Sequence, residues 1–371
     1  MSEDLDTKKI LFFFNQGRAK RINSNEDIPS EFFYFYKQFQ NEHCEVDFIE
    51  MDPMQKQTFI NKLLKFIDKL MRKLTNLPFY SHQIFNSKNL KKIKGSDILM
   101  FTNETLGYST MLFFLFFYRK KRKIIFTMGL LDDFNSNQKK FLKRILLTGY
   151  IKIFDKFFFL SEIEYNFALN VYSEKKSKFY YLPFAVDNNF WNSTNSLENR
   201  KKILFVGNDL KRDYLSIVNI ATEMQDYEFI FVTARLDNNE MPKNVTLHKS
   251  SWRSNKLTDK QLREIYNQSR LSLIPLRDTL QPSGQSVALQ SIAMGVPVMI
   301  SNTKGFWGNK NFENMRNIFI IETSDSWKEK IIEIYNNLEL LNQISINAKN
   351  IAYEEFNTEI LFEKLKHSIF D

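Results

Sequence analysis

The stretch Gln281–Ser301, QPSGQSVALQSIAMGVPVMIS, sets Ser283, Gly284, Gln285 and Ser286 ahead of a short helical pattern and an apolar strand. No acidic residue stands in it. A glycine lets a ligand approach the backbone, and the free amides at a helix start carry about half a positive charge. The chemistry this suits is the holding of a phosphate. An ordinary capped loop has the same ingredients, so a second match matters. FVGNDLKRDY places Gly207 after a strand, with Lys211 and Arg212 just before the next helix. A guanidinium fork beside an ammonium suits a diphosphate; a local Arg212–Asp213 pair is the plainer alternative. Ser283 or Ser286 is predicted to cap the helix, Gly295 to take the left-handed position at its end, and Pro297 to follow.

These loops need strands and helices to aim them. KKILFFF (Lys8–Phe14), CEVDFIEM, SDILMFT, RKIIFTM, DKFFFLS and KFYYLPFAV read as strands with helical patterns between them. A second alternation runs through KKILFVGN, YEFIFVTA, NVTLHKS, LSLIPL, VPVMIS and NIFIIET. Continuous apolar strands separated by helices predict parallel sheets covered on both faces. The fold class is α/β, two doubly wound domains in tandem, with ligands bound beyond the carboxyl ends of the strands and a cleft between the domains as the expected site. The boundaries expected are 1–187 for the first domain, 188–200 for an Asn- and Ser-rich linker, 201–349 for the second, and 350–371 for a terminal helix returning to the first.

Length and composition agree. The 371 residues suggest about two domains, and 43% hydrophobic residues exclude wholesale disorder. With Cys44 as its single cysteine, the chain forms no internal disulfide, which fits a reducing, cytoplasmic compartment. The longest apolar run, MLFFLFFY, is far short of the roughly 20 residues that span a bilayer. Net charge is +9, concentrated in the first half: Lys56 to Gly95 holds ten Lys or Arg and one acid, Asp68, and Arg119–Lys123 are all basic. No nucleic-acid module accompanies these charges, so nucleic acid is not an expected partner.

Taken together, SLIPLRDTLQPSGQSVALQSIAMGVPVMIS, FDKFFFLSEIEYNFALNVY, YLPFAVDNNFW, ILFVGNDLKRDY and LTDKQLREIYNQSRLSLIPL resemble family 4 glycosyltransferases of GT-B fold. The likeness covers Asp155 to Ser301 well and the first half as a domain shape. It implies two Rossmann-like domains and transfer of a sugar from a nucleotide diphosphate sugar, a substrate and not a cofactor, to a glycan or lipid-linked acceptor, in polysaccharide or glycolipid synthesis. It implies a retaining reaction without metal. Ser283, Gly284, Gln285 and Ser286 then hold the donor diphosphate, met from the other side by Gly207, Lys211 and Arg212. Of the family's two glutamates, the one that holds the donor ribose falls on Gln290; the other falls at Pro282, beside Gln281. Where the family has a histidine after an N-terminal strand, Met128 stands. Glu104 and Asp132 (or Asp133) are the candidates left for catalysis, each more simply read as a cap or a solvated loop acid. Two alternatives stay open: a non-catalytic GT-B binding or scaffold protein, and a nucleotide-sugar epimerase or hydrolase.

The segment Phe59–Leu77 places apolar residues at 59, 60, 63, 64, 66, 67, 70, 71, 74 and 77, with lysines and Arg72 opposite. That is an amphipathic helix. It either packs its stripe on the core or rests on an anionic membrane surface, which would make the protein peripheral on the cytoplasmic membrane face.

Overall fold

The computed structural model describes residues 8–370 apart from 25, 43, 57, 132–139, 252–255, 309 and 323–325. The chain divides into two compact units. The first takes Met1–Asn25, Phe33–Leu182 and Leu365–Asp371; the second takes Glu26–Phe32 and Pro183–Lys364. Residues 188–200, expected as a linker, thus lie in the second unit, as does the early segment Glu26–Phe32.

The first unit is built on β1 (Lys9–Phe14), β2 (Glu45–Glu50), β3 (Ile98–Phe101), β4 (Arg122–Thr127), β5 (Lys156–Phe159) and β6 (Phe179–Tyr181). They form one parallel sheet in the order β2-β1-β3-β4-β5-β6. The apolar run of β1 explains its central place: Leu11, Phe12, Phe13 and Phe14 are all fully buried, as strands covered on both faces require. Phe13 stacks on Phe101 of β3 with ring centres 4.3 Å apart. Burying each such ring contributes roughly 1.5–3 kcal/mol.

In the second unit, β7 (Lys202–Val206), β8 (Glu228–Val232), β9 (Val245–His248), β10 (Ser269–Ile274), β11 (Val298–Ser301) and β12 (Phe319–Ile321) form a parallel sheet in the order β12-β11-β10-β7-β8-β9. The winding reverses between β7 and β10. Doubly wound sheets bind ligands at that switch point, beyond the strands' carboxyl ends. The loops after β7 and β10 are the two that the sequence marks for phosphate. The helix Gln285–Ala293 follows β10 with Val287, Ala288, Leu289, Ser291 and Ile292 buried, and Ser291 Oγ lies 3.0 Å from Ser272 Oγ on β10. Gly295 takes φ +68 at its end, as predicted. Neither serine caps its start, however. Gly284 is the N-cap, at φ +83, with no side-chain hydrogen bond. The chain enters the helix through a left-handed turn that a capping serine, which needs extended backbone, does not make.

The helix Phe59–Thr75 turns most of its apolar stripe away from the core. Its buried residues are Asn61, Asp68 and Thr75, while Phe59, Ile60, Leu63, Phe66, Leu70 and Leu74 are exposed. Within the helix, Leu64 and Met71 are the members of the apolar set that pack against the core of this unit, and Leu77, just past its end, is buried in that core. The polar inward face is tied to the chain at residues 81 and 82, although Asn61 Oδ1 is buried with no hydrogen-bond partner. Asn61 Nδ2 donates to the His82 carbonyl at 2.6 Å, and Asp68 accepts from Ser81 Oγ, the His82 amide and His82 Nδ1. Among the described residues no helix is long and apolar enough to cross a membrane.

Candidate functional site

The turn after β7 and the loop after β10 are sewn together. The Asp213 amide donates to the Pro275 carbonyl at 3.0 Å and the Arg277 amide to Lys211 at 2.8 Å, which makes Arg212 and Leu276 an antiparallel bridge. Asp213 does not pair with Arg212; its carboxylate caps the helix Tyr214–Glu223, accepting from the Ser216 amide and hydroxyl. Arg212 is thereby free to turn inward, and it is 2% exposed.

Its guanidinium lies between two glycines. A Cβ on Gly207 would come 2.3 Å from Arg212 Nε, and one on Gly284 would come 3.0 Å from the Nη1 of the same side chain. Only glycine leaves room for the group at either place. Arg212 Nε stands 3.4 Å from Asp209 Oδ2, without hydrogen-bond geometry, and Nε and Nη1 are both buried with no hydrogen-bond partner. Gln285 Nε2, in the first turn of the uncapped helix, is likewise buried and unpartnered. Buried donors are nearly always satisfied. Three donors at this switch point, two on Arg212 and one on Gln285, thus lack an acceptor oxygen.

The remaining candidates sit as follows. Gly207 and Gly284 flank the guanidinium, Ser283 and Ser286 are half-buried on either side of the helix entry, and Lys211 is half-buried beside Arg212. Asn208 ties the neighbouring loops: its Oδ1 accepts from the Ala234 amide at 2.7 Å and its Nδ2 donates to the Ser250 carbonyl at 3.2 Å. Gln290 is buried with its amide engaged at both ends, Nε2 on Glu31 Oε1 at 3.0 Å and Oε1 on the Tyr266 hydroxyl at 3.2 Å. Glu31 Oε1 also accepts from Trp191 Nε1 at 2.7 Å, while Glu31 Oε2 is buried with no hydrogen-bond partner. Burial lifts the Glu31 carboxyl to about 7, the two hydrogen bonds opposing and Asp187 reinforcing the rise. Sequence reading missed Glu31, because its contact with Gln290 spans 259 residues and no local period records it.

In the first unit, Glu104 opens the helix Glu104–Phe116 behind the N-cap Asn103, and its Oε1 accepts from the Met128 amide. It braces the ends of β3 and β4. Asp132 and Asp133 lie outside the described residues. His82 is paired with Asp68 in the interior, and the carbonyl of His248 accepts from the Thr233 amide within the second sheet; His43 lies outside the described residues. No group of three or more His, Cys, Asp or Glu that could hold a metal occurs among the described residues.

A groove of about 850 Å³ opens beyond β10, β11 and β12, lined by Asp213, Asp278, Lys304, Glu322 and Trp327 among others. It contains neither glycine nor Arg212. Its acids face its cations, and Lys304 is already 3.0 Å from Asp278. The unpartnered donors of Arg212 and Gln285 lie outside this mixed surface.

No family model matches the sequence, and neither does any curated protein. Solved structures do match. Sucrose-phosphate synthase from Thermosynechococcus elongatus is similar at a TM-score of 0.70 and 12% identity, over 98% of this chain and 99% of that one. TarM is similar at 0.66 and 11%, over 98% of both chains. Anabaena HepE, solved in complex with UDP-glucose, is similar at 0.63 and 11%, over 98% of this chain and 99% of its own. At such identities the likeness is one of fold. The structural neighbours are glycosyltransferases of the family 4, GT-B type over nearly the whole chain, and in fold this chain is a GT-B protein.

Proposed function

We propose that the chain is a nucleotide-sugar-dependent glycosyltransferase whose donor diphosphate is held at the switch point of the second unit. The observation that carries this reading is Arg212, buried between Gly207 and Gly284 with Nε and Nη1 unpartnered. Gln285 Nε2 and the uncapped first-turn amides after Gly284 complete a donor set suited to phosphate oxygens. Ser283, Ser286 and Lys211 stand at its rim. Gln290 supports the site from behind, its amide held by Glu31 and Tyr266. The acceptor is a glycan or a lipid-linked glycan, and the pathway one of polysaccharide or glycolipid synthesis at the cytoplasmic face of a membrane.

In such a reaction the bond between the sugar and the diphosphate breaks as the acceptor oxygen bonds to the sugar carbon. Charge grows on the leaving phosphate oxygen, where a fixed guanidinium and fixed amides stabilise it more than they stabilise the ground state. The departing phosphate takes the acceptor's proton. This route asks for no strong protein base, in keeping with a Glu104 bonded to the Met128 amide.

Calorimetry with UDP, GDP and ADP tests the reading. Arg212→Ala is expected to lose about 1.5–3 kcal/mol of affinity for the nucleotide that binds, the worth of a charge-assisted hydrogen bond. Equal affinities for wild type and variant would remove Arg212 from the site. The engagement of Glu104 and Gln290 favours a second reading, a GT-B protein that binds nucleotide sugar without turning it over. Tight nucleotide binding with no transfer and no donor hydrolysis across a panel of nucleotide sugars decides for it; release of a free or epimerised sugar without acceptor points instead to a hydrolase or epimerase.

A further inference from the structure

We infer that the helix Phe59–Thr75 is the surface on which this protein docks to a bilayer containing anionic lipid, lying in the headgroup plane with its apolar stripe inserted. The helix is inside out. Phe59 is 84% exposed, Ile60 69% and Phe66 66%, with Leu63, Leu70 and Leu74 also outward. At 100° per residue these six fall on one sector of the helix, and Asn61, Asp68 and Thr75 fall opposite, on the buried side. The inversion is fixed by bonding: Asn61 and Asp68 are tied to residues 81 and 82, and Thr58 caps the start by accepting from the Asn61 amide. Rotating the stripe inward would break each of these bonds.

Charge names the partner. Lys62, Lys65, Lys69 and Lys73 are exposed and project from one flank of the stripe, between it and the buried side. Asp68, the only acid of the helix, is turned inward, so the outward surface of the helix carries cations and hydrocarbon alone. A second copy of the chain would set two lysine rows against each other. Anionic headgroups satisfy them, while acyl chains take the stripe. The helix Lys140–Ile153 packs beside this one and adds exposed Phe141, Leu142 and Ile145 to the same unit. This inference stands apart from the transferase reading, because lipid binding is measured on its own.

Sedimentation of the full chain with phosphatidylcholine vesicles, with and without phosphatidylglycerol, tests it. Binding is expected only with phosphatidylglycerol and is expected to weaken as salt rises. Lys65→Glu/Lys69→Glu should lower the partition coefficient at least about 30-fold, near fivefold for each lysine removed. Phe66→Ser should lower it about tenfold, with an unchanged melting temperature because the side chain is already in water. Phe66→Trp, whose indole emission should shift to the blue on adding anionic vesicles, reads insertion directly. Equal binding to neutral vesicles, no binding to either, or a dimer in solution that Phe66→Ser converts to monomer would each overturn the inference.

Discussion

Gly207 and Arg212 make one device, and the steric relation between them gives a test that leaves the charge in place. A methyl group on Gly207 would sit 2.3 Å from Arg212 Nε and 2.8 Å from its Cδ and Cγ, so the guanidinium of Gly207→Ala must swing away. That variant is expected to lose nucleotide affinity by about the 1.5–3 kcal/mol of Arg212→Ala, and the double variant little more, since both remove the same contact; a calorimetric cycle over the four proteins measures this. Glu31 calls for a different experiment. Its pKa of about 7 in the folded chain stands above the ordinary 4.5, so the native state binds this proton more tightly than the unfolded chain does. The stability tied to the proton is fully present below about pH 4.5 and is lost as pH rises through about 7. Glu31→Gln, which stays neutral, should therefore gain on wild type over that window, reaching a difference of about 3 kcal/mol above it. Urea unfolding at pH 4.5, 6 and 8 checks the trend, and a constant difference between the two proteins would contradict it.

At the level of strands and helices, much of the molecule was legible in the sequence, and what was not has physical reasons. Runs such as Lys8–Phe14 and Lys201–Asn208 declared strands buried on both faces, because each apolar residue in a central parallel strand has somewhere to go. Gly207, Arg212 and Gly284 were legible as site candidates since glycine and cations at loop positions leave few other uses. The pairing of the two loops was not, as the Arg212–Leu276 bridge joins distant segments. Nor was the commitment of Gln290, which depends on a carboxylate from residue 31. For Phe59–Thr75 the periodicity gave the helix and its stripe but not the direction the stripe faces. That is settled by the polar side. Asp68 accepts three hydrogen bonds from residues 81 and 82, and no amphipathic pattern says which of two faces will find such partners. Asp68→Ala is accordingly expected to cost about 3 kcal/mol or more, because three hydrogen bonds to a buried carboxylate are lost and their donors left unpaired, whereas substitutions in the exposed stripe should stay within about 0.5 kcal/mol. Urea denaturation of Asp68→Ala and Leu63→Ser compares the two faces of one helix.

Across the whole molecule, two units of similar winding offer two switch points, and the chain treats them differently. In the first sheet the winding reverses between β1 and β3. After β1 comes the short helix Arg18–Ile22, entered through Gly17 at φ 105. Its first amides, at Arg18 and Ala19, both donate to Glu50 Oε1, from the end of β2. An internal carboxylate thus occupies the place where an anion would bind. At the second switch point the helix after Gly284 has no side-chain cap, and the nearest charge is the Arg212 guanidinium. The asymmetry predicts one nucleoside diphosphate per chain. It also predicts where binding is felt: amide exchange should slow at 207–213 and 275–288 in the second unit, while the loops after β1 and β3 keep their rates. At a nucleotide concentration a hundredfold above its Kd, the segments that open only by unfolding the site should gain about 2.7 kcal/mol of protection. A stoichiometry of two, or protection centred on 15–22, would place the nucleotide at the first switch point and remove Arg212 from its role.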